Sequence, residues 1–463
     1  MANQNPKSKN LTITYIGGGS KGWAWGLMSD LAVEPELAGT VRLYDIDAES
    51  AQNNAIIGNR LSQRPDVVGN WTYEAVLSLS EALEGTDFVI ISIVPGSLEE
   101  MRTDVHLPEE YGIYQSVGDT VGPGGLMRAL RTIPIYTDIA KHIERYAPEA
   151  WVINYTNPMT LCVRTLYAAF PGIKAFGCCH EVFGTQKLMA KMLTELHGEQ
   201  DVKREDIKVN VLGINHFTWL DSATYQGRDL FPLYRDLSIQ YAEEGFELRD
   251  KGHWMNSTFS SANRIHFDLF NKYGLIAAAG DRHLAEFMPL NWYLKDPETV
   301  KSWKFGLTTV DWRVKNKVQL LEKAGRLVRG EQEFELKETG EEGVKMIKAL
   351  LGLGELATNV NLPNQGQLGG VPLGAVVETN ALFSEASLRP VMAGTLPAAV
   401  NALVNRHVLN QETILEAALT KNKALALAAM LNDPLASSIP PDQATEMFNR
   451  MFEATKRYLP GWE

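Results

Sequence analysis

The sequence predicts an α/β protein: a parallel N-terminal sheet followed by an α+β region. Two observations carry this. Strand-like runs rich in β-branched residues alternate with helix-like segments through the first third of the chain. That alternation is the pattern of a parallel sheet with crossover helices. A glycine-rich turn, Gly17-x-Gly19-x-x-Gly22, then joins the first run directly to a helix. Its glycines permit a tight turn and close approach of backbone N–H groups to a pyrophosphate, and the helix N-terminus adds partial positive charge.

Taken in order, LTITYI (11–16) reads as a strand and residues 23–33 as a helix. VRLYD (41–45) is a second strand, with a helix over 48–61. FVIISIV (88–94) has the length and β-branching of a buried strand. WVINYT (151–156) and IKAFG (173–177) are later strands, with helices over 133–146, 159–170 and 187–196. The charged stretch HGEQDVKRED (197–206) marks a boundary between a first domain, 1–200, and a second, 201–463. In the second domain IKVNVLGI and HFTWLDSAT read as strands of another sheet. The remainder reads as helices and loops, including the Gly/Pro/Asn-rich stretch 358–375.

The chain has 463 residues, 45% hydrophobic and 22% charged, with a net charge of −12. That charge disfavours nonspecific nucleic-acid or anionic-membrane binding. MANQNPKSKN (1–10) is polar, unlike a signal peptide, and no run approaches the roughly 18 apolar residues of a membrane span. Cys162, Cys178 and Cys179 make no disulfide framework. A reduced, cytoplasmic protein is expected.

Ser20 and Lys21 lie inside the glycine turn, and Asp45 ends the second strand. An acid there accepts hydrogen bonds from an adenosine ribose and would repel a 2′-phosphate, which favours NAD over NADP. These features predict a Rossmann-type domain like that of lactate and malate dehydrogenases. A simple 2-hydroxyacid or sugar dehydrogenase would also need an arginine for a substrate carboxylate, and Arg128 and Arg131 are available. A noncatalytic NAD(H) sensor would need neither.

GCCHEVFGTQ (177–186) has no role in dehydrogenase chemistry. Cys179 follows a strand at the carboxyl edge of the sheet, and His216 lies between two strand-like runs. A thiolate and an imidazole suit a borderline divalent cation. On spacing alone, a buried cysteine and a satisfied core histidine account for them better.

Six stretches shift that balance: GPGGLMRALRTIP (122–134), NYTNP (154–158), CHEV (179–182), GINHFTW (213–219), GDRHLAEF (280–287) and NLPNQGQLGGVPLGAVVETNA (361–381). Together they resemble glycoside hydrolase family 4, from about residue 11 to the C-terminal helices, and CHEV resembles the branch acting on α-galacturonides. The resemblance implies NAD and a divalent metal, usually Mn²⁺, bound by Cys179 and His216, with no chemistry for Cys178. Asn157 would bond sugar hydroxyls near the metal. The implied reaction oxidises C3, removes the C2 proton, eliminates the aglycone from C1, adds water and returns hydride, outside the two-carboxylate scheme of most glycosidases.

Other branches have a tyrosine as the C2 base. Here the matching region offers Asp281, which also reads as a helix cap. Asp119 and His180 are the candidate acids, against a turn residue and a strand-end hydrogen bond. Arg102 matches a family substrate-contact arginine and Arg282 is the next option, each against a surface salt bridge. His283 and Glu286 share a helix face, solvated or close to the metal. The expected activity is hydrolysis of α-galacturonides, with α-galactosidase or α-glucuronidase as alternatives, in a homodimer or homotetramer.

Overall fold

The computed structural model describes residues 10–246 and 261–462. Residues 1–9 of the polar N-terminal stretch lie outside the described residues. The run NLTITYI forms β1 (Asn10–Ile16), buried between strands on both sides. There follow α1 (Trp23–Ala32), β2 (Ala38–Tyr44), α2 (Ala48–Ser62), β3 (Asn70–Val76), α3 (Leu79–Leu83) and β4 (Phe88–Ile91). Next come α4 (Leu98–His106), α5 (Gly122–Tyr146), β5 (Trp151–Asn154), α6 (Met159–Ala169), β6 (Lys174–Gly177) and α7 (Glu181–His197).

The first six strands are parallel in the order β3-β2-β1-β4-β5-β6. This is the order of a dinucleotide-binding sheet, with its crevice where the order reverses, between β1 and β4. The expected α/β architecture is present.

After α7, β7 (Ile207–Ile214) and β8 (Phe217–Tyr225) form an antiparallel hairpin, extended by β9 (Arg228–Asp229) and β10 (Ile276–Ala277). Later come β11 (Leu356–Pro363), β12 (Leu368–Gly369), β13 (Val376–Ser384) and β14 (Ser387–Pro390). β11, β13 and β14 join the first sheet beyond β6 in antiparallel sense, making nine strands. Strands from both sides of residue 200 therefore share one sheet.

Three elements differ from the sequence reading. β3 was not expected: NWTYEAV lies at a sheet edge with its polar residues outward. The stretch 358–375, expected as loop, is partly β11. Its asparagines find buried partners, as in Asn359 Nδ2 to Glu378 Oε1 at 2.7 Å, so tertiary pairing overrides weak strand propensity. α5 begins at Gly122 and not at 133, because a proline in the first helical turn lacks only an N–H that would have no partner there.

Arg131 is committed to the fold. It is buried in α5, and its guanidinium forms a two-pronged ion pair with Asp104 of α4 and a 2.8 Å bond to Thr455 Oγ1 in the helix Pro441–Thr455. Burial raises the Asp104 carboxyl even against this pairing. Removing one partner of such a pair leaves an uncompensated buried charge. Asp104→Ala is therefore expected to cost about 3–5 kcal/mol of folding stability, read as a lowered urea midpoint. A midpoint within error of the parent would contradict this role.

Candidate active site

The glycine turn sits at the crevice between β1 and β4. Gly17 has φ +97°, and a Cβ there would lie 2.0 Å from the Ser92 carbonyl oxygen. A Cβ on Gly18 would meet Leu43 at 2.7 Å, so side chains are excluded sterically. Asn54 of α2 holds the turn, donating from Nδ2 to the carbonyls of Gly18 (2.7 Å) and Ser20 (2.9 Å). Gly19 N–H donates to Asp45 Oδ2 at 2.9 Å, and Lys21 Nζ reaches Ser50 Oγ at 2.9 Å. Helix α1 starts at this turn with no side-chain cap and no acidic residue in its first turn, an arrangement suited to an anion. At the carboxyl ends of β2, β3 and β4 the apolar side chains Ile46, Leu77 and Val94 are largely exposed. An open helix N-terminus, a strand-end aspartate and an exposed apolar rim fit a dinucleotide.

Chain segments distant in sequence converge at a second group of residues. His216 occupies the two-residue turn between β7 and β8, where it takes φ +64°. A non-glycine residue in this left-handed region marks local strain, of the kind that gathers at functional sites. The His216 ring stacks on His283 with centroids 3.7 Å apart. Asp119 completes the group: one ligand-capable atom from each of Asp119, His216 and His283 lies within 4.8 Å of the others. The electronics suit a cation. Burial, then His283, pushes His216 down to about 3, and burial lowers His283. Burial alone would raise Asp119, but Arg128, His283, His216 and Arg313 hold it at about 2. At neutral pH the set is two neutral imidazoles and a carboxylate, the states that ligate metals.

Thr120 fixes a tautomer. Its hydroxyl donates to Asp119 Oδ1 at 2.8 Å and contacts His216 Nδ1 at 3.0 Å. With its one proton engaged, the hydroxyl accepts from Nδ1–H, which leaves the His216 Nε2 lone pair available.

Around this trio is a ring of buried polar groups. Cys179 lies outside the trio; burial, with Glu378 and Glu181 nearby, raises its thiol well above the usual range. Glu378 of β13 accepts from Asn359 and, at 3.2 Å, from Asn215, the residue before His216. Asn359 also donates to the Cys179 carbonyl at 3.3 Å. Cys178 is buried in the apolar core, its thiol likewise raised by burial. Glu181 opens α7, accepts from Gly280 N–H at 2.5 Å and lies 3.8 Å from His283 Nε2. Burial opposes its ionisation, but His283, His216 and His180 hold it at about 2. His180 Nδ1 meets Glu341 Oε1 at 3.0 Å; against the opposing effect of burial, Glu341 raises His180 to about 9. Trp23 of α1 packs on both Tyr155 and His180, with centroids 5.2 and 5.9 Å away. The glycine-turn helix therefore touches the residue next to Cys179.

Asn157, expected near the sugar, keeps a buried Oδ1 with no partner, while its carbonyl accepts from Arg128 Nε at 3.0 Å. Asp281 does not join the trio. It is fully buried, and its Oδ1 accepts from His266 Nδ1 (2.8 Å) and from His266 N–H (3.2 Å). Arg102 is half-exposed and paired with Asp311 at 2.6 Å, the arrangement of an outer salt bridge. Arg282 is buried beside Asp119 and donates to the Ser116 carbonyl at 3.1 Å. Glu286 on the same helix accepts N–H bonds from Val117 (2.8 Å) and Gly118 (2.9 Å), and burial raises it to about 8. Sequence reasoning missed Thr120, Glu341, Glu378 and Arg313. The only signal for Glu378 was its place in the stretch 361–381.

A family model described as "Family 4 glycosyl hydrolase" matches residues 12–195, and one for the C-terminal domain of the same family matches 211–436. An α-galacturonidase of Thermoanaerobacterium saccharolyticum is 62% identical, covering 99% of this chain and 98% of that protein. A solved structure from Bacillus subtilis is 54% identical with TM-score 0.90, over 96% of this chain and 99% of that one. A 6-phospho-α-glucosidase from gut microorganisms, solved with NAD and Mn²⁺, shares the fold at 20% identity, with TM-score 0.83 over 98% of this chain and all of that one. Matched over nearly its whole length by these two family models and by so similar a relative, the chain belongs to glycosyl hydrolase family 4.

Proposed function

We propose that this enzyme hydrolyses α-galacturonides with NAD and a divalent cation, Mn²⁺ above others. The observation that carries the reading is adjacency: Trp23 of the glycine-turn helix packs on His180, whose neighbour Glu181 lies 3.8 Å from His283 of the imidazole–carboxylate trio. The near-full-length likeness to an α-galacturonidase supports the choice of glycone. When bound, the dinucleotide supplies reversible oxidation at C3 of the sugar, and the cation supplies Lewis acidity beside C2. Cys179 and His216 would hold the cation, with Asp119 and His283 beside them, while Asn215, Asn359 and Glu378 fix the surrounding backbone and side chains.

Asn157 Oδ1, which has no partner in the protein, is free to accept from a sugar hydroxyl. Asp281 takes the C2 proton through Oδ2, the oxygen without a hydrogen bond, while His266 holds Oδ1. His180, kept protonated by Glu341, donates to the leaving oxygen. Asp119, held ionised, is unsuited to donate and serves the cation. Three free thiols are consistent with a reducing, cytoplasmic setting, and a homodimer or homotetramer is part of the same reading.

With NAD⁺, Mn²⁺ and a reductant, nitrophenyl α-galacturonide is expected to be cleaved faster than nitrophenyl α-galactoside or α-glucuronide. In heavy water the released sugar should carry deuterium at C2 and the original hydrogen at C3, and Asp281→Asn should lower kcat by about 100-fold or more. Faster cleavage of the galactoside would refute the substrate. Net accumulation of NADH would point instead to a dehydrogenase.

Titration calorimetry with Mn²⁺ tests the ligands. His216→Ala and Cys179→Ser should each weaken binding about 10- to 100-fold or more, the range seen even when only a hydrogen-bond partner of a ligand is changed. Cys178→Ser should leave it within about twofold, since a core thiol makes no metal contact. Equal loss for both cysteines would show that the changes act through the fold and not through ligation.

A further inference from the structure

We infer that Arg313, beside Arg282, receives the substrate carboxylate and separates galacturonides from neutral galactosides; the inference rests on the glycosidase reading above.

Ser116 places the two arginines together. Its carbonyl accepts from Arg282 Nη2 at 3.1 Å and from Thr308 N–H at 2.9 Å. The segment that enters the helix Val310–Arg329 is therefore fastened to the helix Asp281–Phe287, which bears His283. Arg313 lies in the first turns of the former. Its Nε is buried without a hydrogen-bond partner, and so is Thr308 Oγ1 on the approach to the helix. Thr308 is only 6% exposed. A buried hydroxyl and a buried guanidinium N–H, neither with a partner in the protein, together suit one carboxylate.

The charges agree. Arg282 and Arg313 carry like charge, and both guanidinium groups are largely buried. Two guanidinium groups thus repel each other in a poorly solvated corner. Asp119, a carboxylate that acts on both, is shared with Arg128 and two imidazoles. Among the described residues Arg313 makes no ion pair. The other arginines are engaged: Arg131 with Asp104, Arg128 Nε with the Asn157 carbonyl, and Arg102 with Asp311. A uronate carboxylate would give Arg313 its missing acceptor, whereas a neutral sugar would leave a buried donor unpaired. Leaving a site's buried polar group unpaired is an effective way to reject an analogue.

The test uses the full chain with NAD⁺, Mn²⁺ and a reductant, and nitrophenyl α-galacturonide and α-galactoside as paired substrates. Arg313→Gln should reduce the ratio of their kcat/KM values about 100-fold, mainly through KM for the uronide, as expected for a charge-assisted bond. Arg313→Lys, which keeps the charge but loses the planar fork, should reduce it about 10-fold. Calorimetry with free galacturonic acid should show a matching loss in Arg313→Gln, with NAD⁺ affinity unchanged as a check on folding. Equal losses on both substrates would make Arg313 a structural residue. If the parent prefers the galacturonide and Arg313→Gln keeps that preference, only this assignment falls. A parent enzyme that prefers the galactoside would overturn the substrate reading, and the carboxylate site with it.

Discussion

The site depends on how the turn at residues 116–121 is held. Glu286 accepts two consecutive backbone N–H groups there, Ser116 bonds Arg282, and Thr120 bridges Asp119 to His216. Without these bonds Asp119 would be a surface turn residue. With them, a carboxylate from one segment meets imidazoles from two others. The helix Asp281–Phe287 contributes Arg282, His283 and Glu286 to this clasp. Seven residues thus set both the charge and the shape of the pocket.

Burial decides the protonation of nearly every group there, and its effect depends on the neighbours. Glu181 and Asp119 stay ionised because imidazoles and guanidinium groups surround them, while Glu286, bonded only by neutral amides, is driven up. Similar carboxyl groups thereby acquire opposite states within one cluster. Proteins separate acid from base in this way at near-neutral pH. The cost is a site in which charges of both signs are held largely out of water.

Much of the fold was legible because its signals are local. LTITYI, the glycine turn and VRLYD each carry their own periodicity or spacing, and β1, α1 and β2 match them closely. β3 and β11 were not legible, since edge position and buried asparagine pairs depend on tertiary partners. At the site, the glycine turn and Asp45 could be found by spacing. The meeting of Asp119 with His216 and His283 could not, since 97 and 67 positions separate these residues in the chain. Arg313 stands among charged neighbours in WRVKNK and reads as part of a solvated face. Asp281 read well as a helix cap, and nothing in the sequence pointed to His266 as its partner.

The antiparallel seam where β11 meets β6, Asn361 opposite Gly177, has a consequence for synthesis on the ribosome. The parallel strands β1 to β6 emerge early, so the nucleotide edge can form while the rest of the chain is still being made. β6 then waits for a partner about 180 residues downstream, and loop closure over such a distance is slow. Until β11 and β13 arrive, one flank of the sheet is an open edge, and Cys178, Cys179 and the adjoining apolar surface have no cover. The nascent chain is therefore most vulnerable to aggregation and thiol oxidation during this interval. Asn359 and Glu378, which arrive with the covering strands, close the side of the site beside Cys179 last.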